Sequence, residues 1–489
     1  MKIDKSAYGE DYNKERNEKL VKIASVAVCL LLIFVIGILA WALPQPTYSE
    51  YEKRDLNQMP EFSVESLFKG EYTLGIELAY ADTFTFRESF VKLQSWMEDM
   101  RGIHIDGAQI YGPVPGTTED EIPPVSSESS SSETQSEPSA ESSSVGESQP
   151  ENPVSSESSS SEVSSESSSS EPEQPVVDEG EQGETVAGIF VYKGMAFELF
   201  GGSKSAAEYY ASVVNKYGDA FGSGVQVYNM VIPKHAELYD FPRKYQNISN
   251  SEKDSIDYIY SMLDSDVKSV DAYSVLEAHK DEYLYFNTDH HWTGLGAYYA
   301  YTAFMNAAGL SYYDYGSYTK HTINGFLGTL YSGTNMAKAL EENPDYVEWC
   351  EFPVANKTYQ YNKGDLQNYF SSSVMHGYAS GPYSYGVFLG GDYPLTIIKT
   401  NVNNGRKLVI IKESYGNAPA TYIASGFEET YVVDERYYDG NLVELVESRG
   451  ITDVLIINNC AAANTNFHIA NIESLLTQSY SGAIAYPEG

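Results

Sequence analysis

The chain has 489 residues and a formal net charge of −38. Residues 117–185 hold 18 of its acidic groups and no Lys or Arg, and the rest of the chain still carries a net charge of −20. Phosphate contacts need clustered Lys and Arg, so this balance argues against nucleic acid as a partner. The length allows two or three domains of ordinary size.

The first segment with a clear character is residues 23–43, which contain no charged side chain. A stretch of this length crosses a bilayer as a helix. Lys19 and Lys22 precede it, so we expect residues 1–22 in the cytoplasm and the chain after the segment outside the cell membrane. Ala40-Trp41-Ala42 allows a cleaved signal peptide as the alternative, but the apolar stretch is long for one. The prediction is a single-pass anchor.

The next two segments differ sharply in composition. Residues 44–116 are interpreted as a stalk and the start of the extracellular domain. Residues 117–185 consist mainly of Ser, Glu and Pro. Such a segment buries too little apolar surface to offset the entropy lost on folding, so we predict a disordered insertion in a surface hairpin. Residues 186–489 are predicted to form the main, catalytic domain.

Strand and helix patterns alternate in the second half of the chain, which predicts an α/β domain with a parallel sheet flanked by helices. Helices are predicted over residues 88–101, 205–217, 251–262, 297–308 and 442–449. Strands are predicted over residues 103–111, 189–191, 225–232, 267–272, 408–411, 430–434 and 454–458. Residues 311–375 are interpreted as irregular, with the segment around Phe326-Leu327-Gly328-Thr329 as a rim over the functional site.

A polar and aromatic loop contains the sequence Asp289-His290-His291-Trp292 just before one of these helices. Loops that precede a helix expose side chains at positions where chemistry is often placed. A carboxylate that accepts from one imidazole nitrogen fixes the tautomer and stabilises the imidazolium formed during proton transfer. Asp289 and His291 therefore predict an orienting acid and a general base, whereas His290 is interpreted as structural. Thr293 is the predicted N-cap of the helix, and Gly309 its C′ residue.

The matching nucleophile is predicted about 120 residues further on. The apolar strand 408–411 is followed by Ser414, then by Gly416, Asn417 and Pro419, which favour the start of a helix. A serine between a strand end and a helix start lies at the lip of the sheet, where backbone N–H groups can bind an oxyanion. Without further support, Ser414 is better explained as an ordinary turn or capping residue, and the Asp289 loop is equally well explained as a cap that packs on its helix.

These residues resemble a known family. Asp289-His290-His291-Trp292 is similar to the signature of the DHHW proteins, which are related to the alginate O-acetyltransferases of the SGNH-hydrolase superfamily. The resemblance extends to further segments in the same order, namely Arg54-Asp55-Leu56-Asn57, Ala81-Asp82-Thr83-Phe84, Lys412 before the serine, and Asp434-Glu435-Arg436-Tyr437. It implies an SGNH-hydrolase-like fold. Glu413 departs from the pairs familiar in the better-known acyltransferases, which leaves the oxyanion hole open.

The resemblance also implies a function. Ser414 would be the nucleophile, His291 the base and Asp289 its orienter, in a serine O-acetyltransferase that modifies a cell-surface polysaccharide. The acetyl group would come from a membrane-bound O-acyltransferase partner, and no cofactor or metal is expected. Candidates for substrate or oxyanion contacts are Tyr415, Asn417, Trp292 and Arg436. A carbohydrate acetylesterase with the same triad and a non-catalytic glycan-binding envelope protein remain alternatives.

Several other polar and aromatic residues of the sequence have simpler explanations. Adjacent histidines beside an acid also suggest metal binding, but the other six histidines form no ligand-spaced set. Asp392 follows two glycines and is interpreted as a turn residue. Asn458 and Asn459 are expected to cap a turn. Cys350 and Cys460 would pair only if the fold brought them together. Most of the 42 tyrosines are expected in the core or the sheet. Tyrosines that are exposed would offer flat apolar faces to a sugar chain.

Overall fold

The computed structural model describes residues 48–49, 54–55, 58–60, 62–63, 72, 76, 79–80, 109–110, 122, 184–186 and 188–488. The predicted anchor 23–43, the predicted helix 88–101 and nearly all of the predicted disordered insertion therefore lie outside the described residues. Within the described residues, no helix has the length and apolar character needed to cross a bilayer.

The first described elements are two short segments, Tyr48–Ser49 and Arg54–Asp55, which pair antiparallel. A small four-stranded sheet follows them in the chain. Strands β1 (Ile189–Tyr192) and β2 (Met195–Glu198) form an antiparallel hairpin, as expected for the first of them. Glu184–Val186 pairs with β1, and Gln109–Ile110 pairs with Glu184–Val186. Gln109–Ile110, Glu184–Val186 and β1 thus lie in one sheet, so the chain between residues 110 and 184 leaves and rejoins the protein at one place. Glu184 and Thr185, predicted as the end of the disordered insertion, instead form part of a strand.

The remaining elements follow in chain order. The helices are α1 (Lys204–Phe221), α2 (His235–Leu238), α3 (Glu252–Ser261), α4 (Ala272–Glu277), α5 (Gly294–Ala307), α6 (Thr329–Gly333), α7 (Lys338–Glu341), α8 (Asn417–Ile423), α9 (Leu442–Arg449) and α10 (Asn466–Ser474). The strands are β3 (Gln226–Ile232), β4 (Val267–Ser269), β5 (Lys320–Phe326), β6 (Asp345–Cys350), β7 (Asn356–Tyr361), β8 (Tyr369–Ser372), β9 (Leu395–Thr400), β10 (Lys407–Lys412), β11 (Glu429–Asp434) and β12 (Asp453–Asn459).

The main sheet has eight strands in the order β8-β7-β9-β11-β10-β12-β3-β4. The five strands from β11 to β4 run parallel, whereas β9, β7 and β8 are added antiparallel at one side. The expectation of a parallel sheet is corrected to a mixed one. The α/β class is confirmed. The sheet is larger than predicted because β7, β8 and β9 were not foreseen, and β7 and β8 carry many exposed or half-exposed polar and tyrosine side chains.

Two groups of helices cover opposite faces of this sheet. Tyr228 on β3 packs edge-on against Phe304 of α5, at a ring distance of 5.2 Å. The next residue, Asn229, donates a 2.8 Å hydrogen bond to Tyr210 of α1. Since successive side chains of a strand point to opposite faces, α5 and α1 lie on opposite sides. Helices α4 and α8 pack beside α5, and α3 and α10 pack beside α1.

Local sequence explains where the helices begin and end. Thr293 caps α5 by accepting from the Gly296 amide at 3.2 Å, and Gly309 adopts a left-handed φ of 67° after the helix, as predicted. Helix α9 has the predicted bounds, since Asn441 caps it and Gly450 ends it. The region 311–375, interpreted as irregular, instead contains β5 and β6, which form a separate antiparallel pair, and the sheet strands β7 and β8.

The parallel strands β10, β11, β12 and β3 end at one edge of the sheet, called here the carboxyl edge. Antiparallel pairing brings more chain to the same edge, since Leu395 at the start of β9 pairs with Val433 near the end of β11. Likewise Tyr361 at the end of β7 pairs with Tyr369 at the start of β8. Open α/β sheets bind ligands beyond the carboxyl ends of their strands, so the functional site is sought here.

Candidate active site

Ser414 lies at the carboxyl edge, directly after β10. The chain turns there through a single 3-10 turn, Ser414–Gly416, and continues as helix α8. Gly416 permits the turn because a Cβ at this position would collide with the side chain of Lys412. The sharp change of direction leaves Ser414 half-buried with its hydroxyl at the surface of the sheet edge.

The loop before α5 brings His291 to this serine. The His291 Nε2 atom lies 2.8 Å from Ser414 Oγ, and His291 Nδ1 lies 2.6 Å from Asp289 Oδ1. An ionised carboxylate only accepts, so Nδ1 carries the proton and donates to Asp289. This leaves the lone pair of Nε2 to accept the Ser414 hydroxyl proton. The three residues are thus arranged as a serine, a base and an orienting acid.

Asp289 is fully enclosed behind His291. Its Oδ1 also accepts from the His291 amide at 3.1 Å. Its Oδ2 accepts from the Thr329 amide at 2.8 Å and from the Thr329 hydroxyl at 3.0 Å. Four hydrogen bonds therefore hold a buried carboxylate in one orientation, which fixes the imidazole plane. The segment around Thr329, predicted to form a rim, supports the site from behind.

Gly328 is packed directly against Asp289. A Cβ at residue 328 would collide with the Cβ and carboxylate atoms of Asp289. We therefore expect Gly328→Ala to displace the acid, lowering kcat by about 100-fold, the loss that a misplacement of roughly 1 Å can cause. The measurement is steady-state turnover of an acetyl ester. Gly224→Ala is the matched control, because a Cβ there meets no atom within 4 Å; equal rates for the two variants would contradict this account.

Tyr385 forms the wall of the site next to the histidine, and the sequence analysis did not identify it. Its ring stacks on the His291 ring with centroids 3.9 Å apart and planes 13° apart. Its hydroxyl donates to the Ser414 carbonyl at 3.0 Å. Burial, together with the nearby Glu413 and Asp289 carboxylates, raises the pKa of Tyr385 well above its usual value. The residue therefore stays neutral and links the serine turn to the histidine.

Tyr415 and Trp292, predicted to contact substrate or an oxyanion, turn inward instead. Both side chains are completely buried. The Trp292 indole donates to the Tyr415 carbonyl at 3.0 Å, and the Tyr415 hydroxyl donates to the carbonyl of His290. These bonds tie the histidine loop to the serine turn. Both residues support the geometry from within, because their polar atoms are used up inside the protein.

Asn417 and Arg436, the other predicted contact residues, belong to a network of charges beside Ser414. Arg436 binds both oxygens of Asp434, at 2.9 and 2.7 Å, and lies 3.0 Å from Asp392. Asn417 donates to Asp392 at 2.8 Å, and its own Oδ1 is buried without a partner among the described residues. The buried Lys412 completes the network, 2.6 Å from Asp434 and 3.3 Å from Asp392.

Asp392 was interpreted as a turn residue, and the structure corrects this. It joins Lys412, Asn417 and Arg436 at the carboxyl edge. Burial opposes its ionisation, but the charges of Lys412 and Arg436 prevail and lower the pKa of Asp392 well below its ordinary value. The carboxylate is therefore ionised at any working pH. The two cations and two carboxylates of the network balance one another.

Glu413 occupies the position where the family resemblance left the oxyanion hole open. Its carboxylate accepts from the Tyr415 amide at 2.9 Å and from the Asn459 amide and side chain, each at 3.0 Å. The amide that follows Ser414 is therefore engaged and does not point at a substrate. Asn459 also accepts from the Ala462 amide at 3.0 Å, which is the turn cap that was expected. Asn458 instead accepts from Tyr210 in the core.

Glu413→Gln tests whether this carboxylate holds the serine turn. The amide has one acceptor oxygen, so either Tyr415 or Asn459 would face an NH₂ group. We expect unfolding in urea to show a loss of about 1.5–3 kcal/mol, the usual value for bonds to charged groups. We expect kcat to fall roughly 10- to 100-fold because the serine shifts. Glu444→Gln, on the exposed face of α9, is the control. An unchanged kcat in Glu413→Gln would show that this carboxylate does not position Ser414.

Asp289, His290 and His291 lie close enough together to be considered as ligands of one metal ion. The ligand atoms of Asp289, His290 and His291 lie within 4.8 Å of one another. The oxygens of Asp289 already accept from His291 and Thr329, and His291 Nε2 faces Ser414. A cation would have to break these bonds to bind, so the arrangement suits proton transfer better than metal ligation.

The two cysteines that might have paired are both buried and free. Cys350 ends β6, and its nearest polar neighbour is the Tyr422 hydroxyl at 3.5 Å. Cys460 follows β12 and lies near the backbone of Glu252. The structure therefore contains no Cys350–Cys460 disulfide.

The fold and the site together define an α/β protein that carries a hydrogen-bonded serine, histidine and acid at the carboxyl edge of a mixed sheet. The sequence model of the DHHW protein family matches residues 52–433. The chain belongs to the DHHW family, which confirms the resemblance inferred from its motif.

The chain is also similar to several solved structures. A DHHW family protein from Eubacterium siraeum is 34% identical, with a TM-score of 0.55 over 63% of this chain and 99% of that one. PatB1 of Bacillus cereus is 19% identical, with a TM-score of 0.48 over 57% and 97% of the two chains. The O-acetyltransferase domain of Pseudomonas putida AlgJ is 14% identical, with a TM-score of 0.32 over 57% and 96%. No curated protein matches the sequence.

Proposed function

We propose that the protein is a serine O-acetyltransferase that acetylates hydroxyl groups of a surface polysaccharide. The observation that carries the proposal is the unbroken set of hydrogen bonds from Ser414 through His291 to Asp289, at 2.8 and 2.6 Å. A serine hydroxyl is a weak nucleophile until an adjacent base removes its proton. Here the base faces the hydroxyl, and a buried carboxylate stands ready to stabilise the imidazolium.

The first half of the reaction forms an acyl-serine. His291 Nε2 takes the Ser414 hydroxyl proton while Ser414 Oγ attacks the carbonyl carbon of an acetyl ester. The imidazolium is stabilised by Asp289, which keeps its charge throughout. Collapse of the tetrahedral intermediate breaks the ester bond, and the departing oxygen takes the proton from His291. The acetyl group is then bonded to Ser414.

The second half transfers the acetyl group. His291, neutral again, accepts the proton of a sugar hydroxyl as that oxygen attacks the acetyl-serine carbonyl. The Ser414 oxygen leaves and regains a proton from His291, so the sugar ester is formed and the enzyme is restored. Water in place of the sugar would give an esterase. Transfer therefore depends on a site that positions the sugar and limits access of water.

The setting of this reaction rests on the sequence. The apolar segment 23–43 and the lysines before it favour a single-pass anchor, with the domain outside the cytoplasm. A cytoplasmic acetyl donor does not reach that side unaided. The proposal therefore includes a membrane-bound O-acyltransferase as the partner that supplies the acetyl group.

The test uses the full-length protein with a chromogenic acetyl ester and a polysaccharide fragment as acceptor. We expect mass spectrometry to find an acetyl group on the peptide that contains Ser414, and to find acetylated sugar when acceptor is present. Release of acetate without sugar ester would leave an acetylesterase. A folded protein that shows neither labelling nor turnover would leave a glycan-binding protein without catalytic activity and would end the proposal.

A further inference from the structure

Three aromatic side chains at the carboxyl edge have no part in the proposed chemistry. Phe370 lies at the start of β8, Tyr378 follows β8 in the chain, and Tyr393 precedes β9; together they are called the aromatic platform. The pairing of Tyr361 with Tyr369 puts the start of β8 at this edge. The pairing of Leu395 with Val433 puts Tyr393 there as well, beside the end of β11. Strand β8 runs away from this edge, but the segment after it returns, because the His376 ring that bonds to Tyr378 packs directly against Gly390, three residues before Tyr393. The platform and Ser414 thus share one edge of the sheet.

The platform is exposed yet held in place. Tyr378 is 82% exposed, and its hydroxyl donates to His376 Nδ1 at 2.7 Å. His376 is itself buried, and its Nε2 donates to the Ser373 carbonyl at 2.9 Å, so its tautomer suits the tyrosine. Phe370 is 37% exposed and packs edge-on against Tyr393, 5.8 Å away. A fixed aromatic face loses little entropy when it binds a partner.

The platform is continuous with the triad. The His376 amide donates to the Val387 carbonyl at 2.8 Å, so the segment that carries Tyr378 runs beside the segment of Tyr385, whose ring stacks on His291. At its other end, Tyr393 follows Asp392, which accepts from Asn417 of helix α8, close to Ser414. A molecule on the platform would therefore extend toward the serine.

The distance from the platform to Ser414 and the charges between them limit the kind of ligand that can bind at both places. Phe370 on β8 is four strands from β10, and a strand spacing of about 4.8 Å separates it from the serine by roughly 19 Å. A single sugar does not span this gap, but a short chain does. The platform residues are uncharged, and Lys412, Arg436, Asp392 and Asp434 along the path neutralise one another. Lys363, which lies over the Tyr437 ring after β7, and Asp365 beside it in the chain add one charge of each sign at the same edge. Aromatic faces with balanced charges between them and the serine suit a neutral chain better than a polyanion.

We propose that the aromatic platform binds a neutral oligosaccharide chain whose acetylated sugar reaches Ser414, several sugar units away. The proposal rests on the proposed function of the site and names its acceptor. The apolar C–H faces of the sugars stack on Tyr378 and Phe370, while hydroxyl groups remain in contact with water. Binding at the platform then selects for length, since only a chain of several sugars touches both places.

The experiment compares Tyr378→Ala and Phe370→Ala with the native full-length protein. Acceptors are the dimer and the hexamer of β-linked glucose, mannose and N-acetylglucosamine, with the hexamer of galacturonate as the charged comparison. We expect each variant to raise KM for a neutral hexamer about three- to tenfold, the range for one aromatic contact, and to leave the dimers unchanged. Turnover of a small acetyl ester stays within twofold. Tyr312→Ala, which removes an exposed ring that packs against Tyr301 of helix α5, is the control.

Binding and acetyl transfer are measured separately, so that failure of the aromatic platform can be distinguished from failure of the proposed transferase activity. Calorimetry with the inactive Ser414→Ala protein measures neutral hexamer binding directly, and we expect the platform substitutions to weaken it by the same factor. Hexamer binding that depends on Tyr378, without any acetyl transfer, would refute the transferase alone. Acetyl transfer with no length preference, with equal loss for dimer and hexamer, or with preference for galacturonate would refute the platform alone.

Discussion

Ser414→Ala is expected to lower kcat for acetyl-ester turnover by at least about 10⁴-fold, the loss seen when a triad nucleophile is removed. The reason is that no other hydroxyl takes its place. His291 Nε2 faces Ser414 Oγ at 2.8 Å, and the ring is enclosed between Tyr385 and the Asp289 carboxylate. Alanine keeps the turn, because the bonds that the Ser414 hydroxyl makes among the described residues, at 2.8 Å with His291 and 3.3 Å with Glu413, leave the backbone bonds of the turn untouched. The measurement is steady-state kinetics with a chromogenic acetyl ester.

Ser425→Ala serves as the matched control for this variant. Ser425 is buried near the end of the α8 segment, and its hydroxyl donates to the Tyr422 carbonyl at 2.7 Å without facing the site. It should retain kcat within a few-fold. A Ser414→Ala protein with native turnover and a native melting curve would remove the serine from the chemistry, whatever its distance from the histidine.

Asp289→Asn is expected to cost about 10⁴-fold in kcat with the fold retained, because an amide favours the wrong imidazole tautomer. The Asp289 oxygens accept from His291 and from the Thr329 amide and hydroxyl. An asparagine whose oxygen stays with Thr329 turns its NH₂ toward His291 Nδ1. That nitrogen must then accept, so Nε2 carries the proton and no longer takes one from Ser414. The measurement is kcat against pH, beside circular dichroism to check folding.

Asp453→Asn separates this effect from the general cost of changing a buried carboxylate. Asp453 starts β12 at the opposite edge of the sheet and accepts from Arg406 at 2.6 Å. We expect it to lower stability while kcat stays near that of the native protein. Similar kcat losses in both variants would mean that lost stability, rather than the tautomer of His291, explains the result for Asp289.

The sequence analysis identified the parts of the site that depend on local patterns. Ser414 stands between an apolar strand and a helix start, and the Asp289 loop precedes a capped helix, so each was visible within a dozen residues. Both ends of helix α9 were predicted correctly, because Asn441 and Gly450 are residue types that begin and end helices. The family motif then joined two loops that lie more than 120 residues apart.

The residues that were missed act through contacts distant in sequence. Tyr385 stacks on His291 from a segment with no motif. Thr329 was predicted only as part of a rim, and its bonds to Asp289, 40 residues away, were not foreseen. Asp392 follows two glycines, which signals a turn, although its role is set by Lys412 and Arg436. Strands β7 and β8 were not predicted because their alternation is weak and because β7 pairs with β9, which comes later in the chain and was itself not predicted.

The buried thiols of Cys350 and Cys460 can report on local unfolding of the protein. Burial raises the pKa of Cys350, and that of Cys460 well above its usual value, so neither is a reactive thiolate in the closed fold. An alkylating reagent modifies each only when its surroundings unfold locally. Cys350 belongs to the β5–β6 pair and Cys460 to the end of the main sheet. In a Cys29→Ser background, their separate labelling rates would report the local stability of these two regions without any added probe.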